Sequence, residues 1–379
     1  MRQENYLYLL RGLLSRLSTR VLTTLTFLTI SLLFLFNSNQ LIAMASDIVI
    51  KDKTIVGNTG NGIIEGDMRF PVNVLLLDNF FSHHIIVVEK STHRLHLYKN
   101  NNSYPEYLFS YPIATGLTAG NKSNRGDLKT PEGIYQLTGF LPSEALIRQY
   151  GEDGKKYGIG AFVTDYPNII DKKDGKTGGG IWLHSTNDES RLLKGLDSKG
   201  CVVLANQNLK ELSRYIELNA TQVIIVQDLL FLRKETWEKN REEITARING
   251  WIKAWNDKEF NRYISYYHNE YHDSQKGNLR SFKNYKMSVF QKPGKPIIKI
   301  KEMSIAIFDR YAVVQFEQYY KSNIIDDTGR KLLYLKKDEN YDWKIVSELF
   351  YKLNSTSEVA FNPSMRFFKD SKEIKNDKI

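Results

Sequence analysis

The sequence of 379 residues contains one cysteine, Cys201, and after its first 36 residues it has no apolar run of membrane-spanning length. It also has no internal repeat and no low-complexity tract. A single cysteine cannot form a disulfide within its own chain, which excludes a fold held by a disulfide framework. Such a residue is either a small buried hydrophobe or a reactive thiol, and a reactive thiol needs a base, a positive environment and access.

The first 45 residues have the order of features found in a secretory signal peptide. Four arginines precede the apolar run 21–36, and Ala43 and Ala45 follow as a small-x-small site. We expect cleavage after Ala45. An uncleaved anchor that tethers the chain to the membrane is the alternative, although the run is shorter than the roughly 20 residues of a spanning helix. Both predict export to the periplasm or cell envelope, where an unpaired cysteine suggests a partner chain or a free reactive thiol.

The net charge of +10 favours an anionic partner, which could be nucleic acid, acidic lipid or an anionic polymer. Export excludes nucleic acid and leaves a cell-wall polymer or membrane lipid. Charged residues make up 25% and aromatic residues 12% of the chain, which is typical of a soluble globular protein.

The length exceeds one typical hydrophobic core, so we expect two domains after the signal peptide. A polar linker is predicted at 46–69 and a mainly β domain at 70–230. In that domain the periodicity predicts strands and one capped amphipathic helix, Asn206–Leu218. The predicted strands lie within 72–78, 83–100 (two strands about a turn at Lys90-Ser91), 107–116, 126–140, 178–185, 201–206 and 221–228.

The second domain is predicted at 236–352, with a charged, frayed tail at 353–379. Apolar residues recur there at helical spacing, and the pattern restarts as a second helix after Asn256-Asp257. Four strand-like segments separated by polar turns follow. Helices first and an antiparallel sheet afterwards predict an α+β domain.

Cys201 lies directly after Gly200, and His184 ends an apolar strand that follows Gly178, Gly179 and Gly180. A strand-loop-strand arrangement could bring the thiol and the imidazole together. The imidazole would take the thiol proton, and the amides of Gly200 and Cys201 could bind an oxyanion during acyl transfer. We expect the glycines beside His184 to allow close approach of a substrate. Spacing alone does not exclude a structural cysteine.

The segments "IWLHS" and "SKGCVVLAN" together resemble the active-site motif of the L,D-transpeptidases. The residues that match the family pattern are His184, Ser185, Ser198, Gly200, Cys201, Leu204 and Asn206. The preceding segment "ATG…GDLKTPEGIYQL" is also similar to that family, so the resemblance covers about 80–228.

The resemblance implies a β-sandwich catalytic domain that acts on peptidoglycan stem peptides without a metal or cofactor. Cys201 would attack the diaminopimelate carbonyl and release D-alanine, with His184 as base and the Ser185 carbonyl holding the imidazole. Among the residues around the motif, we expect substrate contacts at Ser198, Gly179, Gly180, Trp182 and Asn206. One departure stands out, because the family's usual arginine two residues after the cysteine is Val203 here, and valine cannot bind a carboxylate.

The second domain resembles the NTF2-like domain of helical-cell-shape LD-carboxypeptidases, which often lack that arginine and hydrolyse the same bond. Three functions therefore stay open. They are transfer to an amine, hydrolysis of tetrapeptide to tripeptide stems, and a non-catalytic wall-binding module whose NTF2-like pocket holds a second ligand.

His268 and His272 are four residues apart on a predicted helix, a spacing that can bind zinc. They lack the glutamate of an H-E-x-x-H motif and have no evident third ligand, so we predict no metal site. His93 and His96 have no accompanying acid cluster, and the three glycines at 178–180 are not followed by a P-loop lysine.

Overall fold

The computed structural model describes residues 48–49, 68–79, 83–352 and 367–368. The strands are β1 (Ile48–Val49), β2 (Arg69–Pro71), β3 (Val74–Leu76), β4 (His84–Glu89), β5 (Arg94–Asn101), β6 (Tyr104–Pro112), β7 (Thr115–Gly116), β8 (Gly133–Pro142), β9 (Gly160–Thr164), β10 (Trp182–Ser185), β11 (Leu196–Ser198), β12 (Val202–Leu204), β13 (Gln222–Val226), β14 (Phe231–Arg233), β15 (His272–Asp273), β16 (Gly277–Asn278), β17 (Ile297–Phe308), β18 (Tyr311–Lys321), β19 (Asp326–Lys337) and β20 (Trp343–Lys352). The helices are α1 (Ser143–Tyr150), α2 (Ile169–Lys173), α3 (Arg191–Lys194), α4 (Asn206–Leu212), α5 (Lys234–Asn256), α6 (Phe260–Ser265) and α7 (Leu279–Gln291), with 3₁₀ turns at Gly151–Tyr157 and Ser213–Tyr215. Apart from β1, these residues belong to one compact unit.

The first large sheet has eight strands in the order β12-β10-β9-β8-β13-β4-β5-β6. The β10–β12 and β4–β13 pairs are parallel, and the other neighbours are antiparallel. The short strands β7 and β11 form a separate parallel pair. The last two strands at one edge of the large sheet, β10 and β12, hold or adjoin the candidate catalytic residues.

The central strands of this sheet are covered on both faces. In β4, Ile86 and Val88 pack into one core with β5, β9 and α4, whereas Ile85 and Val87 pack into another core. That second core also contains Val313 and further residues of β18, β19 and β20. An apolar run without polar alternation is expected of a strand buried on both sides. The two sheets therefore share a hydrophobic core.

The second large sheet has five antiparallel strands in the order β20-β19-β18-β17-β3. Helix α5 packs on it through residues at helical spacing, including Ile244, Ile248 and Trp251. Helix α7 packs in the same core through Phe282 and Phe290. The first two helices and the four strands of this domain agree with the prediction from the sequence, which did not include α7.

Strand β3 pairs outside the eight-stranded sheet, although the first domain is predicted to begin at residue 70. Strand β3 pairs with Ile305 and Ala306 of β17 in the five-stranded sheet, and β2 pairs with β14. Residues 69–76 thus lie outside the eight-stranded sheet. The partner of β3 lies more than 200 residues away in sequence, which short-range periodicity does not reveal.

Two helix predictions are wrong in part. The helix predicted at Asn206–Leu218 ends at Leu212, continues as a 3₁₀ turn and has Ala205 at its N-cap without a side-chain bond. The predicted helix carrying His268 and His272 ends at Ser265, because the chain turns there to run beside β20, and His268 donates its amide to the Ile345 carbonyl.

The signal peptide, its cleavage site and almost all of the linker lie outside the described residues. No helix in the described part of the chain is long and apolar enough to cross a membrane. The predicted frayed tail is described only at Phe367 and Phe368, whose rings contact Phe140, and Phe367 also contacts Phe162. These two residues are packed rather than frayed.

Candidate active site

Cys201 and His184 come together because β12 pairs in parallel with β10. The register places Val202 opposite Leu183 and Val203 opposite His184, so Cys201, one residue before β12, continues it opposite Trp182. Side chains alternate along a strand, which puts Trp182 and His184 on the same face. The thiol and the imidazole therefore lie on one side of this sheet edge.

The imidazole of His184 is held by its neighbour in the chain. Its Nδ1 lies 2.6 Å from the carbonyl oxygen of Ser185. A carbonyl can only accept a hydrogen bond, so Nδ1 carries the proton and the neutral ring leaves Nε2 unprotonated. The side chain is 3% exposed, which keeps the ring in this orientation. The bond prepares His184 to act as a base through Nε2.

Both groups are neutral in the resting protein. The pKa of His184 is lowered to about 4, mainly by burial. The bond to the Ser185 carbonyl opposes this effect, and the charges of Arg191 and Lys156 add to it. Burial also raises the pKa of Cys201, to about 11. The backbone of Trp182 and the charges of Arg191 and Lys156 act in the opposite direction. The half-buried thiol donates to the carbonyl oxygen of Gly180 at 3.4 Å. At neutral pH the pair is a thiol and an imidazole rather than an ion pair.

Ser198 holds the turn that presents the thiol. Its hydroxyl donates a hydrogen bond to the Cys201 carbonyl at 2.6 Å and accepts one from the Gly200 amide at 3.1 Å. The Gly200 amide is thus already engaged, whereas no hydrogen bond among the described residues uses the Cys201 amide. The Cys201 amide is the better candidate for an oxyanion donor. Ser198, expected at the substrate, is buried and acts on the shape of the turn.

Gly200 has a φ of 122°, a conformation that L side chains rarely adopt. A Cβ there would lie 2.7 Å from the Lys129 carbonyl oxygen and 2.9 Å from Ile181 Cδ1. Only glycine lets the chain pass so close to the segment that contains Lys129.

Three aromatic rings form a wall beside His184. The Tyr157 ring lies 4.9 Å from the His184 ring and 5.2 Å from that of Trp182, and Tyr150 lies 6.2 Å from Trp182. Burial raises the pKa of Tyr157, and a thiolate at Cys201 raises it further. Trp182 was expected at the substrate and lies in this wall. Tyr157 and Tyr150 were missed because they are distant in sequence.

Arg191 on α3 is a cation whose charge acts on the pKa of both His184 and Cys201, and it was not predicted from the sequence. Its guanidinium donates to the Asp197 carbonyl at 2.8 Å and to Thr186 Oγ1 at 3.2 Å, and its Nε lies 3.5 Å from the Asp197 carboxylate. These bonds join α3 to the loops on each side of the site. The sequence signal was an arginine between the His184 and Cys201 segments, which alone is too common to single out.

Asn206 holds a loop of the site through its side-chain oxygen. The Ile159 amide donates both to Asn206 Oδ1 at 3.1 Å and to Ser185 Oγ at 2.9 Å. Gly158 makes this approach feasible, since it has a φ of 58° and a Cβ would lie 2.4 Å from each of those oxygens. The contact places Tyr157 against His184. Asn206 therefore has a positioning role, and its contact with a substrate stays a prediction.

Gly179 and Gly180 border open space, because a Cβ at either would meet no atom within 4 Å. This accords with the expected approach of a substrate along their backbone. Val203 is completely buried, and its backbone exchanges hydrogen bonds with Ala114. No charged group therefore faces the cleft from that position.

In the described residues, no group of three or more histidine, cysteine, aspartate or glutamate side chains is placed to hold a metal ion. His268 is buried, and His272 is exposed in β15. The site consists of side chains and backbone amides capable of acyl transfer to and from a thiol.

Two family models match the chain. One is the L,D-transpeptidase catalytic domain (YkuD), at residues 83–225, and the other is the Cds6 C-terminal NTF2-like domain, at residues 243–349. The chain therefore has an L,D-transpeptidase catalytic domain, the catalytic unit of a peptidoglycan-processing enzyme family, followed by an NTF2-like domain. This confirms the predicted family and fold class.

Solved structures give closer points of comparison. The chain is 29% identical to Bd1075 of Bdellovibrio bacteriovorus, with a TM-score of 0.66, covering 76% of this chain and 100% of that one. It is 27% identical to the helical cell shape determining protein Pgp2 of Campylobacter jejuni, with a TM-score of 0.58, covering 73% of this chain and 94% of that one. None of the curated proteins matches the chain.

Proposed function

We propose that this protein is a cysteine acyltransferase that attacks the bond between diaminopimelate and D-alanine in peptidoglycan stem peptides. The observation that carries the proposal is the 2.6 Å bond between His184 Nδ1 and the Ser185 carbonyl. It leaves Nε2 as the basic nitrogen on the face of the sheet that also presents Cys201. The match to the L,D-transpeptidase domain supports the substrate class.

The reaction begins when Cys201 gives its proton to His184 Nε2 and its sulfur bonds to the diaminopimelate carbonyl carbon. The negative oxygen of the tetrahedral intermediate accepts a hydrogen bond from the Cys201 amide. As the intermediate collapses, the C–N bond breaks and the imidazolium returns the proton to the nitrogen of D-alanine, which leaves. An amine or a water molecule then attacks the thioester and regenerates the thiol.

The cleft offers contacts for both ends of this bond. D-alanine ends in a carboxylate, and the positive charges of Arg191 and Lys156 both reach the thiol and the imidazole. The ring of Trp182 gives a flat apolar wall, and the open backbone at Gly179 and Gly180 admits a peptide. These features favour a peptide substrate with a carboxylate near the broken bond.

Hydrolysis by water is the second candidate. It is favoured by Val203, whose buried side chain provides no guanidinium for an acceptor stem. The two outcomes share every step up to the acyl-enzyme and differ only in the second nucleophile.

We also propose that the protein acts in the periplasm or cell envelope after export by its N-terminal segment, cleaved or retained as an anchor. The relatedness to a cell shape determining protein supports an envelope location. A cavity of about 440 Å³ in the NTF2-like domain, lined by Trp255, Lys286 and Tyr320 among others, is the place for a second ligand.

The test is incubation of the purified chain with disaccharide-tetrapeptide, followed by assay of D-alanine and of the muropeptide products. We expect D-alanine release by the wild type and none by Cys201→Ala or His184→Ala. His272→Ala is the matched control, since that histidine is exposed and outside the site. Dimers indicate transfer and tripeptide monomers indicate hydrolysis. Release at the wild-type rate by a folded Cys201→Ala protein would refute the proposal.

A further inference from the structure

A second polar cavity, of about 470 Å³, lies at one end of the five-stranded sheet. Three loops form it: the turn with Arg310 between β17 and β18, the turn 338–342 between β19 and β20, and the segment 267–270. It shares no lining residue with the cavity of about 440 Å³ described above. Lys173, from α2 of the catalytic domain, reaches its edge and donates to the Glu270 carbonyl at 2.5 Å.

His268 provides a hydrogen-bond donor at this cavity. The side chain is only 6% exposed, and its Nδ1 accepts the Glu270 amide at 3.1 Å. Because Nδ1 accepts, the neutral ring must carry its proton on Nε2. Burial lowers the pKa of His268, which favours this neutral form. Within the described residues Nε2–H has no acceptor, and His268 is one of the residues that line the cavity.

One cation that lines the cavity, Arg310, lacks an acceptor among the described residues, whereas Lys336 and Lys344 have acceptors. Arg310 makes no side-chain hydrogen bond or ion pair with any described residue, and Lys173 reaches a backbone carbonyl only. The acids that line the cavity are Glu270, Asp338 and Glu339. Glu270 is paired with Lys336 at 2.9 Å, and Asp338 accepts the amides of Asn340 and Asp342 and lies 3.8 Å from Lys344. Glu339 is exposed at the rim.

An occupant of this cavity must therefore accept hydrogen bonds and carry negative charge. A carboxylate has two acceptor oxygens, which suit the fork of a guanidinium together with a neutral imidazole N–H. Stem peptides carry several carboxylates, so the polymer that the catalytic cleft would cut also displays the required group.

We propose that this cavity binds a carboxylate of a peptidoglycan stem peptide, with His268 Nε2 and Arg310 as donors, as a second contact outside the catalytic cleft. The identity of the ligand, although not the need for an oxyanion, rests on the proposed function. Two linked contacts on one polymer raise the affinity for intact wall above that for a soluble fragment.

The experiment uses the full chain carrying Cys201→Ala, which binds muropeptide without turning it over. Disaccharide-tetrapeptide and, separately, inorganic phosphate are titrated while the imidazole nitrogens are followed by long-range ¹H–¹⁵N NMR. The seven histidines of the chain make the spectrum simple, and His268→Gln identifies the signal. Arg310→Ala is compared with Arg280→Ala, a matched change of an exposed arginine at the start of α7.

We expect the muropeptide to shift the His268 signal, and Arg310→Ala to weaken that binding by roughly tenfold or more while Arg280→Ala does not. No shift with either probe, or equal affinity in both arginine variants, overturns the proposal. A shift with phosphate alone overturns the assignment to stem carboxylates. D-alanine release by wild-type protein is measured in parallel. Its absence would count against the proposed function while muropeptide binding at His268 would still support this cavity.

Discussion

Cys201 should become reactive toward iodoacetamide only at a much higher pH than an ordinary cysteine does. The thiolate is the nucleophile, and burial of the thiol raises its pKa to about 11. His184 does not compensate, because its own pKa of about 4 keeps it uncharged above pH 5. The resting enzyme should therefore have no thiolate–imidazolium pair.

The expected magnitude follows from these values. At pH 8 roughly one in a thousand Cys201 thiols is ionised, against about one in four for a free cysteine with a pKa near 8.5, so alkylation should be about 200-fold slower on this basis. The rate should then rise about tenfold for each pH unit up to about pH 10.

Intact-protein mass spectrometry measures the reaction without ambiguity, since Cys201 is the single cysteine and each alkylation adds one mass increment. His184→Gln should change the rate little at pH 8, because no ion pair is lost. A rate that is constant between pH 5 and pH 8, and that falls sharply in His184→Gln, would refute this reasoning and show a preformed ion pair.

Three further predictions concern the same site. Ser198→Ala removes the hydroxyl that binds both the Gly200 amide and the Cys201 carbonyl. The rate of D-alanine release should fall by roughly tenfold or more, and the free energy of unfolding should fall by about 1–3 kcal/mol. Unchanged kinetics would contradict the positioning role. Gly158→Ala forces a Cβ to within 2.4 Å of Ser185 Oγ and should cost activity and about 1–3 kcal/mol, whereas Gly175→Ala, also at positive φ but in open space, should keep activity. When the pH falls from 6.5 to 4, the free energy of unfolding of the wild type should decrease by about 3 kcal/mol more than that of His184→Gln. The unfolded histidine binds a proton in this range, whereas the folded one, with a pKa of about 4, stays mostly neutral. Denaturant titrations at the two pH values measure this difference. Equal losses in the two proteins would mean that the folded imidazole is not buried as a neutral group.

Much of the fold could be predicted from short-range patterns. The two strands about Lys90-Ser91, the helix α5 and the strands β17–β20 follow from periodicity within segments of a few to about twenty residues. The position of β3 in the second sheet could not be predicted, because its partner β17 is distant in sequence and an apolar strand can pair with any sheet edge.

The sequence by itself nominated the residues that we propose carry the chemistry. A lone cysteine after glycine and a histidine before serine are local features, and together with the resemblance to the L,D-transpeptidase motif they nominate Cys201 and His184. Only the tertiary structure decided how those groups behave, because a pKa depends on burial and on charges brought from elsewhere, such as Arg191 and Lys156. It also decided that the Gly200 amide is occupied and that Asn206 holds a loop, since both depend on contacts whose geometry exists only after folding.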